Sequence, residues 1–270
     1  MTSATTENRG KIVILKAGDP ETGFMDEPGL EALHKEFRRA EASEETRAII
    51  ITGAAEGAFV QHFRLPEIEK TSRKLIERGA SYGEDSYVGE RTMDLLFHRF
   101  AASRLPIIAA MNGNAQGIGL ELALACDYRV ALDGDYLIGF PEIRLGTLPG
   151  AGGTQRLTRL IGTGPGMEMI LFGEPVSPRE ALALRIVHSL SADDVLGSAL
   201  ARAEQLAGMP PLAVAYCKRL VHAAGSLSLR EGLDLERRLF MDLLTREDAL
   251  ARVATLNRAG KDLRDIDEFF

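Results

Sequence analysis

An α/β fold with a helical C-terminal region is predicted by three observations. Short β-branched runs alternate with segments of helical periodicity over the first half of the chain. From about residue 153 onward the apolar spacing is helical. Between these halves lie two glycine-rich turns, each carrying an apolar run into a helical pattern.

Residues 11–16 (KIVILK) read as the first strand, and 27–42 as a helix with Leu30, Leu33, His34 and Phe37 on one stripe. Residues 46–52 (TRAIIIT) make a β-branched strand that stops at Gly53. The stretch 70–100 is charged until Met93, Leu95, Leu96, Phe97 and Phe100. It is expected to hold a mobile segment near 78–89 and then a helix. Residues 105–111 form a continuous apolar strand that enters a turn at 112–119 and a helix through about 125. Short strands follow at 127–132 and 136–140. Helices are expected at 154–161, 166–172, 178–184, 192–206 and 211–224, with a last pair over 228–256.

At 270 residues, 45% hydrophobic and 26% charged, the chain has the balance of a globular protein and buries a large core without staples. The formal charge of −7 and a pI near 5.4 argue against a nucleic-acid partner, which needs a positive field. No apolar run approaches the ~20 residues of a membrane span, and the first ten residues lack a leader's apolar stretch. A cytoplasmic location without a membrane partner is therefore expected. Cys126 and Cys217 are too few for a disulfide framework, and no metal site is expected.

The first turn, 106–121, passes through Gly113, Gly117 and Gly119 before Glu121. Glycines there let the backbone approach a ligand, and the free N–H groups of a helix start attract negative charge. Such a turn can cradle a phosphate or hold a developing oxyanion. The same spacing also resembles a short-chain dehydrogenase fingerprint, but it does not follow the first strand and no Tyr-x-x-x-Lys accompanies it. The second turn sets Glu142 after Pro141 and ahead of Gly146, Gly150, Gly152 and Gly153, with Thr154 as a candidate helix cap.

On these residues the chain resembles the crotonase superfamily, and within it enoyl-CoA hydratase. The matching pieces are AMNG ending at Gly113, Gly117-x-Gly119-x-Glu121, ACD ending at Asp127, Pro141-Glu142, and the long run 145–159 (LGTLPGAGGTQRLTR). The resemblance implies a spiral of repeated ββα units over residues 1–200 and a helical trimerisation region over 201–270. It implies a homotrimer or a dimer of trimers acting on an acyl-CoA, with coenzyme A as part of the substrate and no separate cofactor. The backbone N–H groups of Phe63 and Ile118 would hold the thioester oxygen. Glu121 would orient and deprotonate water, and Glu142 would protonate the α-carbon, so that water adds across the 2,3 double bond. His62, Arg64, Gly117, Gly119 and Gly150 are expected to line the substrate.

The first oxyanion loop departs from the hydratase pattern. Where Ala-Gly-Ala-Asp and a phosphate-binding Lys are usual, this chain has Gln61, His62, Phe63, Arg64 and Pro66. Arg64 is a candidate to replace the missing phosphate contact. His62 admits a different reaction, C–C bond hydrolysis of a β-diketone or double-bond isomerisation, in which the imidazole takes part.

Overall fold

The computed structural model describes residues 4–268. Nine strands and eleven α-helices follow one another among these residues. Six strands form the main sheet in the order β1 (Thr5–Arg9), β2 (Ile12–Ala17), β3 (Ala48–Gly53), β5 (Ile107–Met111), β7 (Tyr128–Leu132) and β9 (Ser189–Ser191). Only the β1–β2 pair is antiparallel; the others are parallel. A second, parallel sheet is made of β4 (Gly57–Val60), β6 (Gly113–Gln116) and β8 (Ile138–Gly139).

The two sheets advance together. After β3 the chain enters β4 and then α2 (Leu65–Glu77) and α3 (Thr92–Ala102). After β5 it enters β6 and α4 (Ile118–Ala125). After β7 it enters β8 and the helices α5 (Gly153–Ile161), α6 (Thr163–Phe172) and α7 (Pro178–Ala183). Each circuit is thus strand, strand, helix, which is the expected spiral of ββα units. Parallel strands need such crossovers, and burial of both faces explains why 48–51 and 105–111 are continuously apolar.

Successive circuits touch backbone to backbone. A Cβ on Gly53 would lie 1.9 Å from the Ala58 carbonyl oxygen, and one on Gly113 would lie 2.0 Å from the Gly57 carbonyl. Asn112 joins the corners: its Oδ1 accepts from Gly53 N–H at 2.8 Å and its Nδ2 donates to the Ala55 carbonyl at 2.9 Å. One core cluster lies between the sheets, α1 (Glu27–Ala42) and α4, centred on Phe37, Phe59, Phe97, Phe100 and Phe140. A second lies on the outer face of the main sheet under α8 (Val195–Gly208).

Several elements differ from the sequence expectation. β1, β9 and α2 escaped notice because their residues are polar or exposed; α2 buries none of its side chains. β6 was hidden in what reads as a turn, since its four residues GNAQ carry no β-branched signal. The expected boundary at residue 200 falls inside α8, whose Val195, Ala199 and Ala203 are buried against the sheet. The spiral core therefore runs through Gly208, and α9 (Pro211–Ala223), α10 (Leu229–Leu244) and α11 (Glu247–Ala259) follow it. α9 is pinned to the core by Lys218, whose Nζ donates to the carbonyls of Phe100 and Leu105 and pairs with Asp127 at 2.8 Å. His222 meets the other oxygen of Asp127 at 2.9 Å, a partnership that sequence spacing did not reveal. No helix among the described residues is long and apolar enough to cross a membrane.

Candidate active site

The site is built where α4 begins. All eight residues of this helix are buried, so it runs through the middle of the spiral rather than along its surface. Gly117 precedes it with φ +54°, and no side chain caps its first turn. The first N–H groups of a helix have no partner within it, so the Ile118 N–H is free to point outward past Gly117. A Cβ on Gly117 would lie 2.9 Å from Glu142 Oε1 and 4.0 Å from the Cβ of His62. Gly117, Glu142 and His62 therefore converge on one place, with Ile118 adjoining it.

Phe63 joins this place from the other side. It forms a parallel bridge with Met25, in which Met25 N–H donates to the His62 carbonyl at 2.9 Å and Arg64 N–H donates to the Met25 carbonyl at 2.8 Å. In such a bridge the central residue's own N–H faces away from its partner, so Phe63 turns its N–H away from Met25.

Glu121 lies one turn into α4 and is only 3% exposed. Its Oε1 accepts from Ala151 N–H at 2.6 Å and Gly153 N–H at 2.8 Å. This carboxylate, not Thr154, satisfies the start of α5, whose N-cap is Gly152 at φ +97°. Burial pushes the Glu121 carboxyl upward, while the two N–H donors and the guanidiniums of Arg156 and Arg91 pull it down.

Glu142 opens the 3₁₀ turn Glu142–Leu145. Its Oε2 is buried and has no hydrogen-bond partner. Burial first, and then the charge of Glu121, raise its pKa to about 7. Both carboxyls are thus raised by burial, and the charge of Glu121 acts on Glu142. Beside them Leu145 and Leu148 stand exposed.

The remaining expected site residues have other engagements. Arg64 pairs with Asp19 at 2.8 Å and Asp26 at 3.4 Å and lies over the Phe24 ring. These two carboxylates balance its charge inside the fold. Gly119 serves close packing, since a Cβ there would lie 2.0 Å from the Val60 carbonyl oxygen. Gly150 contributes its carbonyl to Arg91. The ring of His62 packs on Phe24 at 4.6 Å between centroids, and its Nδ1 lies 2.8 Å from the Phe63 carbonyl. A carbonyl only accepts, so Nδ1 carries the proton and the neutral ring has its lone pair on Nε2.

Sequence reasoning missed Arg91, Arg156 and Met25. Met25 acts through its backbone, which leaves no side-chain signal, and Arg91 stands in a charged stretch where one more Arg is unremarkable. Two surface grooves of about 490 and 470 Å³ lie elsewhere, one between α1 and α3 and one beside α6 and α7. Neither touches the glutamates, and the convergence of chemical groups locates the site better than volume does.

The chain is similar to known proteins of one family. The family described as enoyl-CoA hydratase/isomerase matches residues 9–254. A probable mitochondrial enoyl-CoA hydratase of Dictyostelium discoideum is 34% identical over 242 residues, covering 88% of this chain and 82% of that protein. A probable enoyl-CoA hydratase of Bacillus subtilis is 34% identical over 245 residues, covering 88% and 89%. Among solved structures, an enoyl-CoA hydratase subunit of Geobacillus kaustophilus superposes with a TM-score of 0.83 at 30% identity, covering 96% of both chains. DspI of Pseudomonas aeruginosa superposes equally well, at 0.83 and 27% identity, covering 97% of this chain and 96% of its own.

Proposed function

The chain belongs to the enoyl-CoA hydratase/isomerase family, and from that premise we propose that it adds water across the 2,3 double bond of an enoyl-CoA thioester. The observation that carries this reading is the unlike pair of carboxyls. Glu121 is buried and held by two N–H donors from other residues; Glu142 has a buried Oε2 without a partner and is raised to about 7.

Each group then has a task. Glu121, ionised, takes a proton from water as its oxygen bonds to C3. The π electrons move to C2 and onto the thioester oxygen, where the N–H groups of Phe63 and Ile118 receive the charge. Such donors are worth about 2.7–4 kcal/mol each where one has been removed from other enzymes. Glu142, whose pKa of about 7 keeps about half of it protonated at neutral pH, delivers its proton to C2. Coenzyme A is carried in as part of the substrate, and no separate cofactor is needed.

His62 fits a supporting part better than a catalytic one. Its Nδ1–H is engaged by the Phe63 carbonyl and its face by Phe24, so the ring braces the loop that presents the Phe63 N–H. A reaction led by His62, such as C–C hydrolysis, would have to run through the other ring nitrogen, Nε2. The homotrimer read from resemblance has support in α10, which buries no side chain and leaves Leu229, Phe240, Met241 and Leu244 exposed.

The test is hydration of crotonyl-CoA, followed by loss of the conjugated thioester's ultraviolet absorbance. Turnover is expected, with His62→Ala keeping activity within about threefold. No turnover at high enzyme concentration sinks the hydratase reading, and loss of all activity in His62→Ala would move the chemistry to the imidazole.

A further inference from the structure

Arg91 closes α3 at its N-terminal end and belongs to none of the sequence motifs above. Its N–H and Nε meet Asp94 Oδ2 at 3.0 and 2.8 Å, and Nη2 meets Asp94 Oδ1 at 3.0 Å. The same Nη2 donates across 59 residues of sequence to the Gly150 carbonyl. That carbonyl belongs to the peptide unit whose opposite end is the Ala151 N–H, and the Ala151 N–H donates to Glu121 Oε1 at 2.6 Å. A cation on the carbonyl end of a peptide draws electron density from its N–H end. The N–H becomes a stronger donor, since linked hydrogen bonds polarise one another in a low dielectric.

We propose, on the premise of the hydratase reading, that Arg91 is a positioning residue for Glu121, fixing its carboxylate and its charge through the Gly150–Ala151 peptide. Arg156 secures the next unit, its Nη1 donating to the Ala151 carbonyl at 2.7 Å. That peptide ends at Gly152, however, and not at a donor to Glu121. The relay is therefore specific to Arg91, while Arg156 acts by charge from α5.

Several charged or titratable groups face this assembly. Arg91 caps α3, which supplies Asp94 and His98; Arg156 comes from α5, Cys126 from the end of α4, Glu142 from the 3₁₀ turn, and Glu27 from α1, where it accepts from Thr92. Glu121 must be ionised to take a proton from water. Losing the Arg91 cation raises its proton affinity and moves the acidic limb of the kcat/KM profile to higher pH.

The experiment measures that limb with crotonyl-CoA in Arg91→Met, Arg91→Lys and Asp94→Asn. Arg91→Met should displace it upward by about 0.5–1 pH unit, with activity restored at high pH. Arg91→Lys, which retains the charge, should displace it less. Asp94→Asn, which loosens the same helix start but removes a negative charge, should not raise it. In parallel, the unliganded protein is labelled at the Glu carboxyl carbon, and the Glu121 resonance is assigned by its loss in Glu121→Gln. Its titration should rise by the same amount in Arg91→Met. An unmoved titration in Arg91→Met, or an equal upward displacement in Arg91→Lys or Asp94→Asn, overturns the relay. A displaced titration in a protein that never hydrates crotonyl-CoA would leave the relay standing and remove the hydratase reading.

Discussion

Glu121 and Glu142 come from two glycine turns of one spiral and reach the same space, but their surroundings are opposite. Glu121 sits in the middle of a wholly buried helix, with one oxygen holding the Ala151 and Gly153 N–H groups and two guanidiniums nearby. Glu142 sits on a one-turn 3₁₀ segment with a buried oxygen that nothing satisfies. Burial raises both carboxyls; Glu121 is opposed by the Ala151 and Gly153 N–H groups and two guanidiniums, Glu142 by its own backbone N–H. The two settings thus differ in where backbone N–H groups point, not in residue type.

The strongest way to break this comparison is to remove each carboxyl alone. Glu121→Gln and Glu142→Gln should each lower kcat on crotonyl-CoA by about 10²–10⁴-fold, the usual worth of a positioned acid or base. Their pH profiles should differ. Glu121→Gln should lose the acidic limb and Glu142→Gln the basic limb, which in the wild type should lie near the Glu142 value of about 7. Loss of the same limb in both variants would mean that the two groups are not divided as described.

The glycine turns offer a second contrast, between a glycine that keeps space for chemistry and one that keeps space for packing. Gly117→Ala puts a methyl 2.9 Å from Glu142 Oε1 at φ +54°, so it should lower kcat roughly ten- to a hundredfold while leaving most of the fold intact. Gly119→Ala puts a methyl 2.0 Å from the Val60 carbonyl oxygen and should destabilise the protein before any effect on chemistry is read. Urea unfolding beside steady-state kinetics separates the two, and equal stability losses would erase the distinction.

Much of this was legible in the sequence, for physical reasons that can be named. α1 was read with its observed bounds because the Leu30–Leu33–Phe37 stripe marks its buried face; Asp26 caps its start and Pro28 sits in its first turn. Gly117 was legible because a tight turn demands glycine, and its φ is +54°; the two glutamates were expected from the motifs that hold them, Gly117-x-Gly119-x-Glu121 and Pro141-Glu142. The divided settings of the glutamates were not legible. They depend on Ala151 and Gly153 offering backbone N–H groups, and backbone direction leaves no trace in residue type. The ion pairs of Arg64 were not legible either, because its partners Asp19 and Asp26 lie some forty residues earlier.

The smallest effect is the most direct reading of the Glu142 setting, because it needs no substrate. Its carboxyl titrates near 4.5 when unfolded and near 7 when folded. Between these values the folded protein holds a proton that the unfolded chain has released. Stability contributed by this site is therefore fully present below about pH 4.5 and is lost as pH rises through 7. Glu142→Gln has no such proton. Its melting temperature minus that of the wild type should be lowest near pH 4.5, climb through pH 7 and level off above it. The same difference for Glu121→Gln should climb less, because Glu121 has donors for its charged form. A flat difference for Glu142→Gln would show a carboxyl that is solvated after all, and equal slopes for the two variants would remove the asymmetry on which the assignment of acid and base rests.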